Sequence, residues 1–426
     1  MIEAIGKAFK VPDLKRRILF TLALIGIYRF GAHVPVPGVN IGALKDIFEQ
    51  APLLGFMDLF AGGALSNFAV FALGIMPYIT ASIIMQLLTV VIPTLNQWQK
   101  EGEVGQRKIT QYTRYFTLGL ALVQSVAMTM FFERQLIEIG SLGAAGLGFG
   151  VKALIIITLV AGTALIMWLG ELITQRGIGN GMSILIFASI IARLPESLFA
   201  TGKTGGVAAV IGLVVILLGI IVGIVFVEKA QRRIPVQYAK RVVGRKVYGG
   251  SSTYIPLKVN SAGVIPIIFA SSLLIFPATF LQFLDTRTVV YQIINKLTDP
   301  SGALYLTSFA VLVIFFTYFY TAIIFNPIDI SDNMKKNGGF IPGVRPGKPT
   351  AGYIDRVLTR ITLPGAFFLA TVAILPTIIG SMFNIPFFQR GDFSGISLLI
   401  IVGVALELMR QIESQLLMRH YEGFLK

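Results

Sequence analysis

The sequence predicts an all-α polytopic membrane protein whose ten transmembrane helices form two inverted five-helix halves. Three observations predict it. Of the 426 residues, 55% are hydrophobic and 13% are charged, with a mean hydropathy of +0.78. Apolar runs of about 20 residues, enough to cross about 30 Å of hydrocarbon, recur along the chain. A short sequence pattern also appears in both the second and the seventh of these runs. A soluble protein has no need of so much apolar sequence.

The chain begins with an amphipathic segment, not a cleaved signal peptide, because charges are spread through it and no small-residue cleavage site follows. The first apolar run is therefore expected to remain in the protein. The predicted spans lie near residues 18–36, 70–92, 112–132, 151–170, 181–199, 207–228, 262–283, 304–325, 361–380 and 395–417.

The distribution of charge predicts the orientation of the spans. Most of the 36 Lys and Arg residues fall in alternate connections, and such connections face the cytosol. Ten spans then place both termini in the cytosol. The predicted N-terminal half comprises residues 1–200, and the C-terminal half comprises residues 201–426.

Two cytosolic connections are long and basic. Residues 229–260 carry eight Lys or Arg residues and alternate apolar with polar side chains, which predicts a protruding β-hairpin. Residues 326–360 carry six and are rich in Gly and Pro, which favours an ordered loop over a helix. The charges could serve only orientation and anionic lipid, at about 1 kcal/mol per residue near the surface. They could also bind an acidic or phosphate-rich partner such as ribosomal RNA. The lengths favour a docking surface, because orientation needs only short loops.

An internal repeat links the second and seventh spans. "GIMPYITAS" at Gly74–Ser82 aligns without a gap with "GVIPIIFAS" at Gly263–Ser271. Because five spans separate the two copies, the second half begins on the opposite side of the membrane and the repeat is inverted. Inverted repeats place the functional path at their interface, near the midplane. Chance could supply part of so short a match, but its equivalent place in each half argues against chance.

The residue types indicate what this path conducts. Coupled transporters keep ionisable residues inside the membrane, whereas here Arg29, Arg193 and Glu407 lie toward span ends. Ile75 and Ile79 share one helix face, which predicts an apolar constriction that gates by dewetting. These side chains could instead face lipid or a neighbouring helix. A secondary transporter with an inverted repeat is the alternative function.

Enzymatic functions find no support. The chain has no Cys and two His, so neither a thiolate site nor a histidine metal cluster is expected. It contains no GxSxG or HExxH motif. "RGIGNG" follows no predicted strand, so it is not a dinucleotide fingerprint. We therefore expect no catalytic residue, metal or cofactor.

One segment before the second span is too short to cross the membrane. About twelve residues at 1.5 Å each reach about 18 Å, and non-spanning backbone at membrane depth is tolerated only where protein shields it or it lines an aqueous cavity. Gly62 and Gly63 interrupt this segment and would keep it thin and movable. By itself this predicts a re-entrant segment.

Six motifs occur in this order along the chain: "FGAHVPVPGV", "FAGGALSNFAVFALGIMPYITASIIMQLL", "EGEVGQRKITQYTRY", "MWLGELITQRGIGNGMSILIF", "PLKVNSAGVIPIIFASS" and "GGFIPGVRPGKPTAGYID". Through these ungapped motifs the chain closely resembles the SecY family, the channel subunits of the bacterial protein-export translocon, over essentially its whole length.

The resemblance implies a passive protein-conducting channel with two gates and assigns candidate residues to each part. The plug helix would comprise Met57, Asp58, Leu59, Phe60, Ala61, Gly62, Gly63, Ala64, Leu65, Ser66, Asn67 and Phe68. The pore ring would comprise Ile75, Ile79, Met182, Ile186, Ile268 and Ile400, where Met182 replaces the expected Ile. The lateral gate would include Thr80, Gln124 and Phe276, and the docking positions would be Arg241, Arg245 and Arg345.

The resemblance also implies partners and a location. The chain would lie in the bacterial cytoplasmic membrane with the small subunits SecE and SecG. The SecA motor ATPase or a translating ribosome would drive unfolded preproteins through it, and signal peptides would leave sideways into lipid. Buried Thr and Gln at the gate could equally be ordinary interhelical hydrogen-bond partners, and any one docking Arg could be a solvated surface charge.

Overall fold

The computed structural model describes residues 9, 11–37, 58–138, 147–238, 241–243, 246–248, 252–281, 288–299, 302–383, 386–389 and 395–422. Its helices are α1 (Pro12–Gly31), α2 (Met76–Val91), α3 (Pro93–Lys100), α4 (Glu103–Glu138), α5 (Phe149–Arg176), α6 (Gly181–Lys229), α7 (Ile265–Leu281), α8 (Val289–Thr298), α9 (Ala303–Ile324), α10 (Pro327–Lys336), α11 (Lys348–Phe383), α12 (Pro386–Gln389) and α13 (Gly395–Glu422). Its strands are β1 (Gln231–Tyr238), β2 (Arg241–Val243), β3 (Lys246–Tyr248), β4 (Ser252–Lys258) and β5 (Gly339–Phe340).

Each predicted span overlaps a helix, although the helix for the span near 18–36 ends at Gly31 and that for the span near 70–92 begins at Met76. Within the described residues, seven helical segments are long and apolar enough to cross a membrane, and α2 with α3 makes an eighth if this pair, bent by 100°, is one span. The break falls at Ile92, before Pro93. The predicted fifth and sixth spans both lie in α6, which consists of two helical segments that meet at a kink at Gly206, where φ is 68°. A left-handed φ is accessible to Gly without steric cost, so the two segments are joined there without a longer loop.

The helices pack into a closed ring. In order of contact the ring runs α2, α4, α5, α6, α13, α11, α9 and α7, and α7 returns to contact α2. Helix α1 packs against α5 and α6, and α8 packs against α7 and α9. One apolar cluster extends through these helices. Each helix of the ring therefore has a neighbour on both sides.

The first long loop contains the predicted hairpin. Strands β1 and β4 pair antiparallel, with Ile234 opposite Ile255, and β1 also pairs with β5. Ile234 and Val236 are buried while the residues beside them are exposed, which is the period-two pattern that predicted the strand. The inner pair β2 and β3 forms a separate two-stranded sheet.

The second long loop is more helical than the sequence predicted. Asn326 accepts a hydrogen bond from the Ile328 amide at 3.1 Å and Pro327 occupies the first turn, so α10 begins there. Helix α11 begins at Lys348, well before the predicted span at residue 361. The prediction of a loop without helix was wrong because these turns are stabilised by tertiary packing. Their buried side chains join the hairpin in a second core of Ile234, Val236, Leu257, Met334, Ile341, Ile354 and Leu358.

Candidate functional site: a helix ring and its buried segment

The two copies of the repeat have the same local backbone. Gly74 and Gly263 both adopt positive φ, 57° and 64°. Helices α2 and α7 begin two residues later, at the aligned Met76 and Ile265, each with Pro in its first turn. Hence Ile79 and Ile268 occupy the same position in their helices, one turn beyond the start.

Ile75 caps the start of α2, and the other three ring candidates lie on α6 and α13. Asn180 accepts hydrogen bonds from the amides of Met182 and Ser183, at 3.0 and 3.3 Å, so its cap sets the start of α6 and the position of Ile186. Five of the six candidates belong to the buried apolar cluster. The sixth, Ile268, is half-buried and packs against that cluster. The five are Ile75, Ile79, Met182, Ile186 and Ile400. A built Cβ at Gly170 would lie 2.5 Å from the Met182 sulfur, so this thioether packs against α5.

The candidate plug is helical only at its beginning. Residues 58–61 form a helical turn and residues 62–68 form turns, because Gly62 and Gly63 adopt φ of 66° and 88°, which end a right-handed helix. The predicted plug helix was therefore too long. Met57 lies outside the described residues. Leu59, Phe60 and Leu65 are at most 1% exposed, so the segment is buried protein backbone.

The C-terminal end of this buried segment is anchored by backbone pairing and by aromatic packing. The Val36 amide donates to the Phe68 carbonyl and the Val70 amide to the Val34 carbonyl, both at 2.9 Å. Phe68 meets Phe132 of α4 edge to face, with ring centroids 5.0 Å apart. The segment after the plug is thus fixed to the end of α1 and to α4.

Polar contacts hold the centre of the segment to α1 and α6. The Arg29 guanidinium donates to the Gly62 carbonyl at 2.6 Å, and the Tyr28 hydroxyl donates to the Ala61 carbonyl at 3.3 Å. On α6, Arg193 forms a 2.8 Å ion pair with Asp58. In the sequence Arg29 and Arg193 lie toward span ends, and their partners were not predicted. The sequence did contain a signal for the ion pair. Asp58 lies in an apolar stretch, and ionisable residues inside a membrane usually pair with one another.

The candidate lateral gate lies at a seam between helices. Helix α7 contacts both α2 and α4 there. Thr80 on α2 is buried and Gln124 on α4 is half-buried, whereas the side chain of Phe276 lies outside the described residues. On one side, Arg114 of α4 makes two 2.6 Å hydrogen bonds with Glu171 of α5. On this side of the seam, α4 is therefore attached to its neighbour α5.

On the other side of the seam, α7 is attached to α9. Phe269 of α7 packs edge to face on Phe316 and Tyr320, with ring centroids 5.6 and 6.0 Å away. Side chains of α7 and α9 thus interlock, so the two helices are suited to move together.

The two long loops form one module around the second core. Gly343 and Gly347 adopt positive φ and frame a turn that exposes Arg345, while its carbonyl accepts from the Thr350 hydroxyl at 2.9 Å. Arg241 lies in β2 with its side chain outside the described part, and Arg245 is not among the described residues. At the base of the hairpin, burial and the nearby Arg410 guanidinium lower the pKa of Lys258. The module presents cations on a folded support.

No group of three or more His, Asp or Glu side chains that could hold a metal ion occurs within the described ranges. The arrangement offers instead a helix ring, a buried non-spanning segment and a basic module. Together they define a polytopic membrane channel with a buried, non-spanning segment among its helices.

Comparisons with known proteins identify the family. The SecY family model matches residues 69–409. The chain is 50% identical over 439 residues to the protein translocase subunit SecY of Streptomyces coelicolor and 47% identical over 447 residues to that of Mycobacterium bovis, with 100% of both chains covered in each case. The chain belongs to the SecY family and is a protein-translocation channel.

Solved structures share the fold at low identity. One is described as the structure of a protein conducting channel, with a TM-score of 0.63 and 17% identity over 93% of this chain and 91% of that one. Another is Sec61 in a canine ribosome-channel complex, with a TM-score of 0.60 and 15% identity over the same shares. The ten-helix fold predicted from the sequence is confirmed, and the assignments of individual site residues stay predictions.

Proposed function

We propose that this chain conducts unfolded polypeptides passively through its helix ring, with the segment at residues 57–68 as the plug of the closed state. The observation that carries the proposal is the burial of this non-spanning segment against α1, α4 and α6. Backbone at membrane depth needs such protein shielding. The plug leaves its seat when a polypeptide enters from the cytosol.

The apolar candidates form the second barrier. Ile75, Ile79, Ile186, Ile268 and Ile400, with Met182, would close around the moving chain and exclude hydrated ions. Branched apolar side chains dewet a narrow pore and adapt to guests of different shape. Their common apolar cluster supports this role.

The seam between α2 with α4 and α7 with α9 would open sideways. Since α4 is attached to α5 and α7 to α9, opening at the seam separates two packed groups and leaves each group intact. An apolar signal peptide or membrane segment then partitions into lipid. In this assignment the halves are residues 1–200 and 201–426, and Thr80, Gln124 and Phe276 line the seam.

The cytosolic module would receive the driving partner. Arg345, Arg241 and Arg245 suit two-point contacts with phosphate or carboxylate groups, and a canine relative of this fold is described in a ribosome-channel complex. We assign the SecA ATPase and the ribosome to this surface. We also assign SecE and SecG as membrane partners, and we assign anionic lipid as a partner of the basic loops. The proposed location is the bacterial cytoplasmic membrane, with both termini in the cytosol. The energy comes from the partner, because the chain itself carries no catalytic residues in this assignment.

Ion conductance in planar bilayers tests the proposal. The purified chain with its small partner subunits is compared with a variant that lacks residues 57–67. We expect the intact channel to be nearly silent and the deletion to show large, frequent openings. If both are silent while a solute gradient drives saturable uptake, the protein is a secondary transporter.

A second measurement tests the docking surface. Arg345→Glu should reduce partner-driven translocation of a preprotein into vesicles, while Arg16→Glu, an exposed charge on α1, serves as the matched control. Equal activity of the two variants would remove Arg345 from the docking surface.

A further inference from the structure

The carboxylate of Asp58 has two structural roles in the closed segment. Its Oδ1 accepts hydrogen bonds from the amides of Leu65 and Ser66, at 2.8 and 3.1 Å, and so closes the turn. Its Oδ2 lies 2.8 Å from Nη2 of Arg193 on α6. The Asp58 side chain is 1% exposed and that of Arg193 is 16% exposed. One side chain therefore shapes the plug and attaches it to the helix that also carries Met182 and Ile186.

A second cation contacts the segment from another helix. Arg29 on α1 donates to the Gly62 carbonyl at 2.6 Å, so guanidinium groups from two helices contact the segment. A built Cβ at Gly63 would lie 4.0 Å from Nε of Arg193, so the plug backbone passes close to this side chain. Arg193 forms an ion pair with the side chain of Asp58, whereas Arg29 donates a hydrogen bond to a backbone carbonyl. Of these two contacts, the first joins two ionised groups.

A buried ion pair responds to separation differently from an apolar contact. Inside a dry protein each charge depends on its partner, because neither is solvated. When the plug moves away, both charges need water. Separation therefore becomes favourable only when water enters the space between them, which is the condition that an open aqueous path supplies.

We propose that Asp58 and Arg193 form a latch that sets how readily the plug leaves its seat and couples plug release to wetting of the pore. Both are positioning residues: they act on the plug and do not touch the translocating chain while the channel is closed. The latch gives the channel two discrete states, plug seated with the pair joined or plug released with both ions hydrated. This inference rests on the proposed function of the segment as a plug.

The test uses the purified complex of the chain with its small partner subunits in planar bilayers. Asp58→Asn keeps an oxygen acceptor for the Leu65 and Ser66 amides and removes the charge. Arg193→Gln removes the opposite charge, and the double variant removes both. We expect each single variant to raise the opening frequency at least about tenfold, because it leaves a buried charge without its partner. Arg193→Lys should fall between the intact protein and Arg193→Gln.

A matched control exists in another ion pair. Glu133 pairs with Lys152 at 2.8 Å, and it also accepts a hydrogen bond from a backbone amide, that of Leu147 at 2.9 Å. Glu133→Gln thus makes the same chemical change as Asp58→Asn outside the plug. We expect the opening frequency of Glu133→Gln to equal that of the intact channel.

The double variant distinguishes pairing from general damage. If the two residues form one latch, the double variant opens no more often than the more open single variant, since no bare buried charge remains. Additive effects would overturn the pairing. If a single variant fails to assemble, the opening frequency of the double variant is compared with that of the intact channel instead, because the double variant carries no uncompensated buried charge.

The deletion experiment separates the two levels of inference. If the single variants are silent while the deletion of residues 57–67 conducts, the latch is overturned but the proposed plug is not. A silent deletion would overturn the proposed plug itself.

Discussion

The hydroxyl of Tyr28 on α1 lies 2.6 Å from the hydroxyl of Ser189 on α6. Because the Ser189 hydroxyl donates its proton to the Leu185 carbonyl at 2.9 Å, the single Tyr28 hydroxyl proton is shared between Ser189 and the Ala61 carbonyl of the proposed plug, 3.3 Å away. Tyr28 is fully buried and stacks on Phe71, with ring centroids 5.8 Å apart. Two helices and the plug thus meet at one phenol oxygen.

Tyr28→Phe should weaken the seat of the plug. The variant keeps the ring and its packing but leaves the Ala61 carbonyl without this donor, at a cost of about 1 kcal/mol. The opening frequency in planar bilayers should rise about fivefold. Ser189→Ala is the matched control, because it removes the other hydroxyl and leaves the Tyr28 contact with Ala61. A larger effect of Ser189→Ala than of Tyr28→Phe would contradict this assignment.

Gly74→Ala and Gly263→Ala should differ although their backbones agree. Both substitutions force Ala into a left-handed conformation, at about 1–2 kcal/mol. A built Cβ at Gly74 also lies 2.9 Å from the Ala61 Cα atom, whereas that at Gly263 meets nothing within 4 Å. We expect both variants to unfold at a lower temperature, while only Gly74→Ala increases basal conductance. Equal conductance would show that the plug does not depend on this close approach.

Ile186→Ser should weaken the apolar seal. The substitution places a hydroxyl in the proposed constriction, and a polar lining favours wetting of a narrow pore. Ile211→Ser, at a 59% exposed position of the same helix, makes the same chemical change away from the cluster. In a channel that also lacks the plug, Ile186→Ser should raise single-channel conductance relative to Ile211→Ser. If the two match, Ile186 does not line the path.

Ile354→Ala should unfold the module of the two long loops without opening the channel. Ile354 is fully buried in the second core, and truncation of a buried Ile costs about 2–5 kcal/mol. The predicted result is faster proteolysis of the hairpin and loss of partner-driven transport, with unchanged conductance. Leu363→Ala, 47% exposed on the same helix, is the control. Increased conductance in Ile354→Ala alone would mean that the module also holds the channel closed.

The sequence by itself determined the class of protein, the spans, the repeat and the β-hairpin, because these depend on composition, run length and period along the chain. The matching helix starts after Gly74 and Gly263 also follow from local residues, since Gly accepts the left-handed turn and Pro suits the first helical turn.

Only the tertiary structure decided what depends on distant residues. Helix α10 and the early start of α11 form because their apolar side chains join the hairpin core, which no local pattern in a Gly- and Pro-rich stretch reveals. The partners of Asp58 and Tyr28 were undetermined for the same reason. A charge in a membrane segment predicts that a partner exists, but the packing of α1 and α6 around the plug selects Arg193 and Ser189.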